Sequence, residues 1–182
     1  KTSKSILIIS LQKTTVQFYI RQFRILLNSF IQKAKNKMKF PTTPEDLKNE
    51  LFNSVDKINL VGDLRIRQLI QILPKVNNKV IIEGIIQIFE NEKRIDSVYT
   101  DQKYAGIILK KINPKTEESA ASILSRILKN WNRSVEELPF WLKDNYGIET
   151  IKQVFSELEK TNLTALESEK LKTMKWFLGI KS

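Results

Sequence analysis

The residues of this chain most suggestive of chemistry are two pairs of adjacent carboxylates, Glu117-Glu118 and Glu136-Glu137. Neighbouring carboxylates can divide general acid and general base work when their surroundings push their proton affinities apart. Each pair here follows a helix-starting residue, Thr116 or Ser134. A carboxylate in a first helical turn is already explained by the positive end of the helix dipole. Asp144, Asn145, Gly147 and Glu149 faintly resemble a calcium loop, but the carboxylate spacing fails and the closing Glu is missing, so a helix end is the better reading. The chain contains no His and no Cys. That removes the usual general base, thiolate nucleophiles, disulfides and iron–sulfur ligation, and leaves zinc only carboxylates. Neither a G-x-x-x-x-G-K-[ST] nor a G-x-G-x-x-G loop occurs. The sequence therefore points away from an enzyme and calls for no cofactor and no metal.

The other unusual constellation is aromatic. Between Trp131 and Trp141 lie Arg133, Pro139 and Phe140, a rigid elbow around a helix start. It serves either as packing between helices or as a protein-binding surface, since Trp and Arg carry much of the energy of interfaces. Trp131, Arg133, Phe140 and Trp141 are the candidate interface residues.

Charge divides the chain. Residues 1–40 carry nine Lys or Arg and no acid, so they hold +9 of the net +11. The remainder is nearly neutral, with 22 basic and 20 acidic side chains. Within the leader, Val16, Tyr19, Ile20, Phe23, Leu26, Leu27, Phe30 and Ile31 recur at helical spacing, with Gln17, Arg21, Arg24 and Asn28 on the other side. This predicts a basic amphipathic helix, too short in apolar run to span a bilayer. Four readings compete: a first core helix, an organelle transit segment, attachment to anionic lipid or nucleic-acid phosphate, and an upstream stretch before a start at Met38. For the attachment reading the contacts are Lys13, Arg21, Arg24, Lys33, Lys35 and Lys37.

The elements that position these residues are helical. Five Gly and five Pro in 182 residues leave few turns, and one domain over residues 41–182 is long enough to fold on its own core. Thr43-Pro44-Glu45-Asp46 starts a helix to about Ser54, with Thr43 as N-cap. Asp63 is expected to cap Leu64–Leu73, ended by Pro74. Val80–Ile88 reads as part of a helix over about 79–91 buried nearly all round, although its β-branched residues keep a strand open. Further helices are expected over about 100–112, closed by Asn113-Pro114; over about 116–130; from a capping box at Ser134–Glu137; over about 149–160 after Gly147; and from a second capping box at Thr164–Glu167 to a Gly179 cap.

An offset of 38 lays Asp63 on Asp101, Ile66 on Tyr104, Leu69 on Ile107, Ile70 on Ile108, and Ile85-Ile86 on Ile123-Leu124. Two equal helix pairs result, with a looser third from Ser134. A period near 40 with two helices per unit resembles HEAT or armadillo-type helical repeats over about residues 44–178. The expected fold is all-α: a short stack of antiparallel helix pairs, with an irregular helical bundle as the competing arrangement. The resemblance implies a non-enzymatic scaffold that binds another protein. The alternative is nucleic-acid or anionic-membrane association through the basic N-terminal helix. Absence of Cys fits a reducing, cytoplasmic setting, or an organelle if residues 1–40 are a transit segment.

Overall fold

The computed structural model describes residues 40–181, together with Gln17, Arg21, Gln22 and Arg24 of the leader. Those four are helical and exposed. The rest of the expected leader helix, with Lys13, Lys33, Lys35, Lys37 and Met38, lies outside the described residues. Residues 40–182 form one compact unit.

Among the described residues the chain is all-α, with nine α-helices and no strand. They are α1 (Pro44–Asp56), α2 (Ile58–Val61), α3 (Leu64–Ile72), α4 (Asn78–Phe89), α5 (Val98–Ile112), α6 (Ala120–Ile127), α7 (Glu137–Tyr146), α8 (Ile148–Leu158) and α9 (Ala165–Phe177). None of them is long and apolar enough to cross a membrane.

Local chemistry sets several of these ends. The Thr43 hydroxyl accepts from the Asp46 amide at 3.1 Å while the Asp46 carboxylate accepts from the Thr43 amide at 3.0 Å, a reciprocal box that satisfies two orphan donors. The same exchange occurs between Thr164 and Glu167 at 2.9 and 3.2 Å. Asn113 ends α5 in the left-handed conformation, at φ 46°, and Pro114 follows. Gly147, at φ 81°, turns the chain from α7 into α8.

Val80–Ile88 is helical. Asn77 caps α4 by accepting from the Lys79 amide at 2.8 Å, and Ile81, Ile82, Ile85, Ile86, Ile88 and Phe89 are buried. Such a helix needs neighbours on several sides, and α4 packs against α1, α5 and α6. Its closest neighbour is α1, whose Leu47, Leu51 and Val55 form the buried stripe. Gly84 makes that approach possible. A Cβ there would sit 2.9 Å from the Pro44 carbonyl oxygen and 3.0 Å from the Leu47 side chain.

Beyond α1, helices neighbour the one after next. One series runs α3, α5, α7, α9, and a second runs α4, α6, α8. Polar contacts across the unit have matching reach. Arg94 donates to Asp56, 38 residues back; Arg126 donates to Glu90 and Glu83, 36 and 43 residues back; Lys129 donates to Glu92, 37 residues back. Lys170 donates to the Lys129 carbonyl, 41 residues back.

Two expected helix starts are displaced, each for a local reason, and a third expectation fails at a pair of acidic residues. The Ser134–Glu137 capping box does not form, and α7 begins at Glu137. A helix starting after Ser134 would place Pro139 where its missing N–H and its ring oppose the Val135 carbonyl. Starting at Glu137 keeps Pro139 inside the first turn, and the Val135 carbonyl accepts from the Trp131 indole at 3.0 Å instead. The helix expected from Thr116 starts at Ala120, because the Thr116 hydroxyl takes the Glu118 amide in a tight turn and Ser119 accepts from the Ser122 amide. Glu117-Glu118 therefore precedes α6 rather than lying in its first turn.

The third case concerns Asp63 and Asp101. Neither side chain caps: Asp63 precedes α3 and pairs with Arg67 at 3.1 Å, whereas Asp101 lies inside α5, buried, and pairs with Arg94 at 2.8 Å. The 38-residue offset carries burial in the second helix of each pair, where Ile85, Ile86, Ile123 and Leu124 are all buried. In the first helix it does not: Ile66 and Leu69 are buried, but Tyr104 and Ile107 are only partly so.

Candidate functional site

The aromatic elbow lies mainly in the interior. Trp131 is fully buried, and its indole N–H is taken by Val135. Trp141, on α7, is buried as well and donates to the Pro114 carbonyl at 3.1 Å. Both indoles thus have the apolar surroundings and the single polar partner that a core Trp needs. As interface candidates they are corrected: a partner could reach neither ring without unpacking the core.

The other two candidates are at the surface. Arg133 is exposed and reaches Glu169 on α9 at 3.1 Å. Phe140 is half-buried on α7, with the Lys143 ammonium 5.3 Å from its ring centre. Against Phe140 stands an aromatic pair from the end of α9. Phe177 has its ring centre 6.4 Å from that of Phe140 and 5.1 Å from that of Trp176, both tilted. Trp176 is 74% exposed. Beside it lies a shallow open hollow of about 390 Å³, lined by Arg133, Glu169, Lys172, Thr173 and Trp176.

The site is therefore an aromatic ridge, Phe140–Phe177–Trp176, with Arg133, Lys143 and Lys172 around it. Helix geometry explains its placement. Leu171 and Met174 form the inward stripe of α9, and Trp176, two residues beyond Met174, points about 200° away from it. The Thr164 box and the buried stem of Lys175, whose ammonium meets Glu159 at 2.6 Å, hold that helix in register. In the sequence, the offset of Trp176 from the Leu171–Met174 stripe is the signal that marks it as outward.

A larger cleft, of about 640 Å³, opens between the start of α4 and residues 115–118. Lys79, Lys115, Glu83, Glu117 and Glu118 line it, with Ile82 at the floor. Part of its charge is already engaged. Arg126 holds Glu83 through 2.8 and 2.9 Å bonds and Glu90 through 2.6 and 3.0 Å bonds, and Glu118 lies 3.7 Å away. The Arg126 bonds hold the Glu83 carboxyl below its ordinary range. Among the described residues no group of three acidic side chains is arranged to hold a metal ion.

Asp101 shows two opposed influences. Burial pushes its carboxyl upward, and the hydrogen bonds and charge of Arg94 pull it back. Arg94 also binds Asp56 at 2.6 Å and lies over the Phe52 ring at 4.5 Å. Both arginines thus work as struts between helices. Of the leader candidates, Arg21 and Arg24 are described, and both are exposed on helical turns.

No protein-family model matches the chain, and no curated protein or solved structure matches it. The fold and the ridge define the class that the structure supports: an all-α protein of closely packed helices with an exposed aromatic face.

Proposed function

We propose that the protein is a non-enzymatic helical scaffold, a short stack of HEAT-like helix pairs, that holds another protein against the ridge at the end of α9. The carrying observation is Trp176, a large aromatic left 74% exposed on an ordered helix beside two further aromatic rings. Interface hot spots are built from such side chains. Arg133, Lys143 and Lys172 surround the ridge, so the partner that fits it is a segment with an apolar anchor and flanking carboxylates. The alternating helix neighbours and the polar contacts reaching 36 to 43 residues support the helix-pair reading, because stacked repeats meet their counterparts one period away.

A photo-crosslinking residue in place of Trp176 tests this. It should give one stoichiometric protein adduct in the native cell extract, and the same residue in place of Leu166, exposed at the other end of α9, should not. Equal labelling at both positions, or none at 176, sinks the reading. Trp176→Ala should weaken the captured complex at least about tenfold while leaving helicity unchanged.

A second reading is favoured by Arg21 and Arg24, exposed one turn apart on helical backbone in the acid-free leader. They would contact nucleic-acid phosphate or anionic lipid. Binding to DNA, RNA or anionic vesicles that weakens steeply with salt and disappears in the Arg21→Gln/Arg24→Gln variant would establish it. Unchanged binding in that variant would exclude it.

A further inference from the structure

The cleft of about 640 Å³ between the start of α4 and residues 115–118 has the size of a small-ligand site, and its lining is separate from the aromatic ridge. Bonds that leave several of its charges unused fix both walls. On one side Asn77 caps α4 through the Lys79 amide, and the buried Ile81 and Ile82 anchor the first turns of the helix. On the other, the Thr116 hydroxyl accepts from the Glu118 amide at 3.1 Å and the Ser119 hydroxyl accepts from the Ser122 amide at 3.2 Å. The Tyr146 hydroxyl donates to the Glu118 carbonyl. Burial raises that hydroxyl to about 12, so it keeps its proton and the bond at neutral pH.

Both walls carry lysine first and glutamate after it. α4 presents Lys79 and, one turn later, Glu83, about 6 Å along the helix axis. The loop presents Lys115 and then Glu117, at most about 7 Å along the chain, followed by Glu118. The acidic parts of the two walls converge on Arg126, which holds Glu83 at 2.8 Å and has Glu118 at 3.7 Å. That guanidinium also holds Glu90 at 2.6 Å, so one cation serves three carboxylates and this end of the cleft keeps an excess of negative charge. Lys79, Lys115 and Glu117 are exposed and form no ion pair with any described residue. Lys115 reaches only the Asp144 carbonyl, at 3.5 Å.

Opposite charges that line one cleft without meeting each other are open to a ligand that carries both signs. A simple anion would face the carboxylates and a simple cation the lysines, and among the described residues no three acids are grouped to hold a metal ion. We infer that the cleft binds a short zwitterionic peptide, with its terminal carboxylate between Lys79 and Lys115 and its terminal ammonium toward Glu117 and the carboxylates gathered at Arg126. The ends of an extended dipeptide lie at most about 7 Å apart, which matches the separation of basic and acidic groups along each wall. An apolar side chain between those ends would rest on Ile82 at the floor.

Titrating the nitrogen-15-labelled full-length protein with the dipeptide alanyl-leucine, followed by two-dimensional amide NMR, tests this. Millimolar dipeptide should shift the amides of residues 78–83 and 115–118 and leave those of Lys172 and Trp176 in place. Acetylating its amine or amidating its carboxylate should each weaken binding about tenfold, the worth of one hydrogen bond to a charged group. Lys115→Gln should impose the same loss on the free dipeptide and none on the amidated one. Glu117→Gln should do so on the free form and not on the acetylated one, because each residue then no longer has its terminus to meet. No shift at millimolar dipeptide overturns the inference. So do equal affinities for the free, acetylated and amidated forms, which would make the binding indifferent to charge. Losses from Lys115→Gln and from amidation that add in full also overturn it, since that residue and that terminus would not be in contact.

Discussion

Replacing Gly84 by Ala puts the central packing of the helical unit to a quantitative test. The new methyl would lie 2.9 Å from the Pro44 carbonyl oxygen and 3.0 Å from both Cβ and Cδ2 of Leu47. Ordinary carbon contacts need about 3.5 to 4 Å, so α1 and α4 must separate by about half an ångström or more. The obstacle is backbone at the first turn of α1, where the Thr43–Asp46 box holds the chain, so relief by side-chain rotation is not available. Overpacking costs about 1 to 3 kcal/mol, and a backbone obstacle puts this case in the upper part of that range, at about 2 to 3 kcal/mol. Against it stands the helix preference for Ala over Gly, about 1 kcal/mol. The net expectation is a loss of about 1 to 2 kcal/mol. Gly106→Ala supplies the control. It carries the same propensity gain at mid-helix, but its new methyl meets only side-chain atoms, Val135 Cγ1 and Glu137 Cβ at 3.0 Å and Glu137 Oε2 at 3.3 Å, with no backbone oxygen opposing it. Urea unfolding followed by far-ultraviolet circular dichroism and by Trp fluorescence should give the order wild type, Gly106→Ala, Gly84→Ala in falling midpoint. A Gly84→Ala protein as stable as wild type, or more stable than Gly106→Ala, would refute the α1–α4 geometry.

Other substitutions probe single contacts. Trp131→Phe keeps most of the buried ring but strands the Val135 carbonyl, and should cost about 1 to 3 kcal/mol in urea unfolding. Arg126→Met should cost about 1 kcal/mol at neutral pH, discounted for partial exposure. Because Arg126 lowers the proton affinity of Glu83 in the folded state, that stabilisation is present above the ordinary carboxyl value of 4.5 and is lost as pH falls through the lower folded value. The gap between wild type and Arg126→Met should therefore close on acidification; a constant gap from neutral pH to pH 3 would contradict this. Trp176→Ala should change the unfolding midpoint by no more than about 0.5 kcal/mol, since the ring is mostly solvated.

The Thr43 N-cap, the Thr164 capping box, the helix end at Asn113 and the Gly147 turn were legible because each is decided within four or five residues. The Ser134 box was equally plausible on that scale and failed on Pro139 and on an indole that needed the Val135 carbonyl. A capping box at Ser134 is defined by the residues that follow it, whereas the competing donor, Trp131, stands three residues before it. The aromatic elbow shows the same limit. Its composition marked a dense region, but burial assigned Trp131 and Trp141 to the core and left exposure to Trp176, 35 residues beyond Trp141 in the chain.

The sequence by itself determined the all-α class, most helix spans, the separation of a basic leader from a nearly neutral body, and the lack of histidine and cysteine chemistry. These follow from composition, from period, and from hydrogen bonds that close within one turn. The tertiary structure decided which faces are covered: α4 enclosed by α1, α5 and α6, Arg94 and Arg126 stretched between helices, and the apolar side chains at α2, the turn before α5 and the end of α9 left outside. Those outcomes depend on partners about 40 residues away in the chain. An apolar residue at helical spacing gives no sign of whether a distant neighbour arrives to bury it.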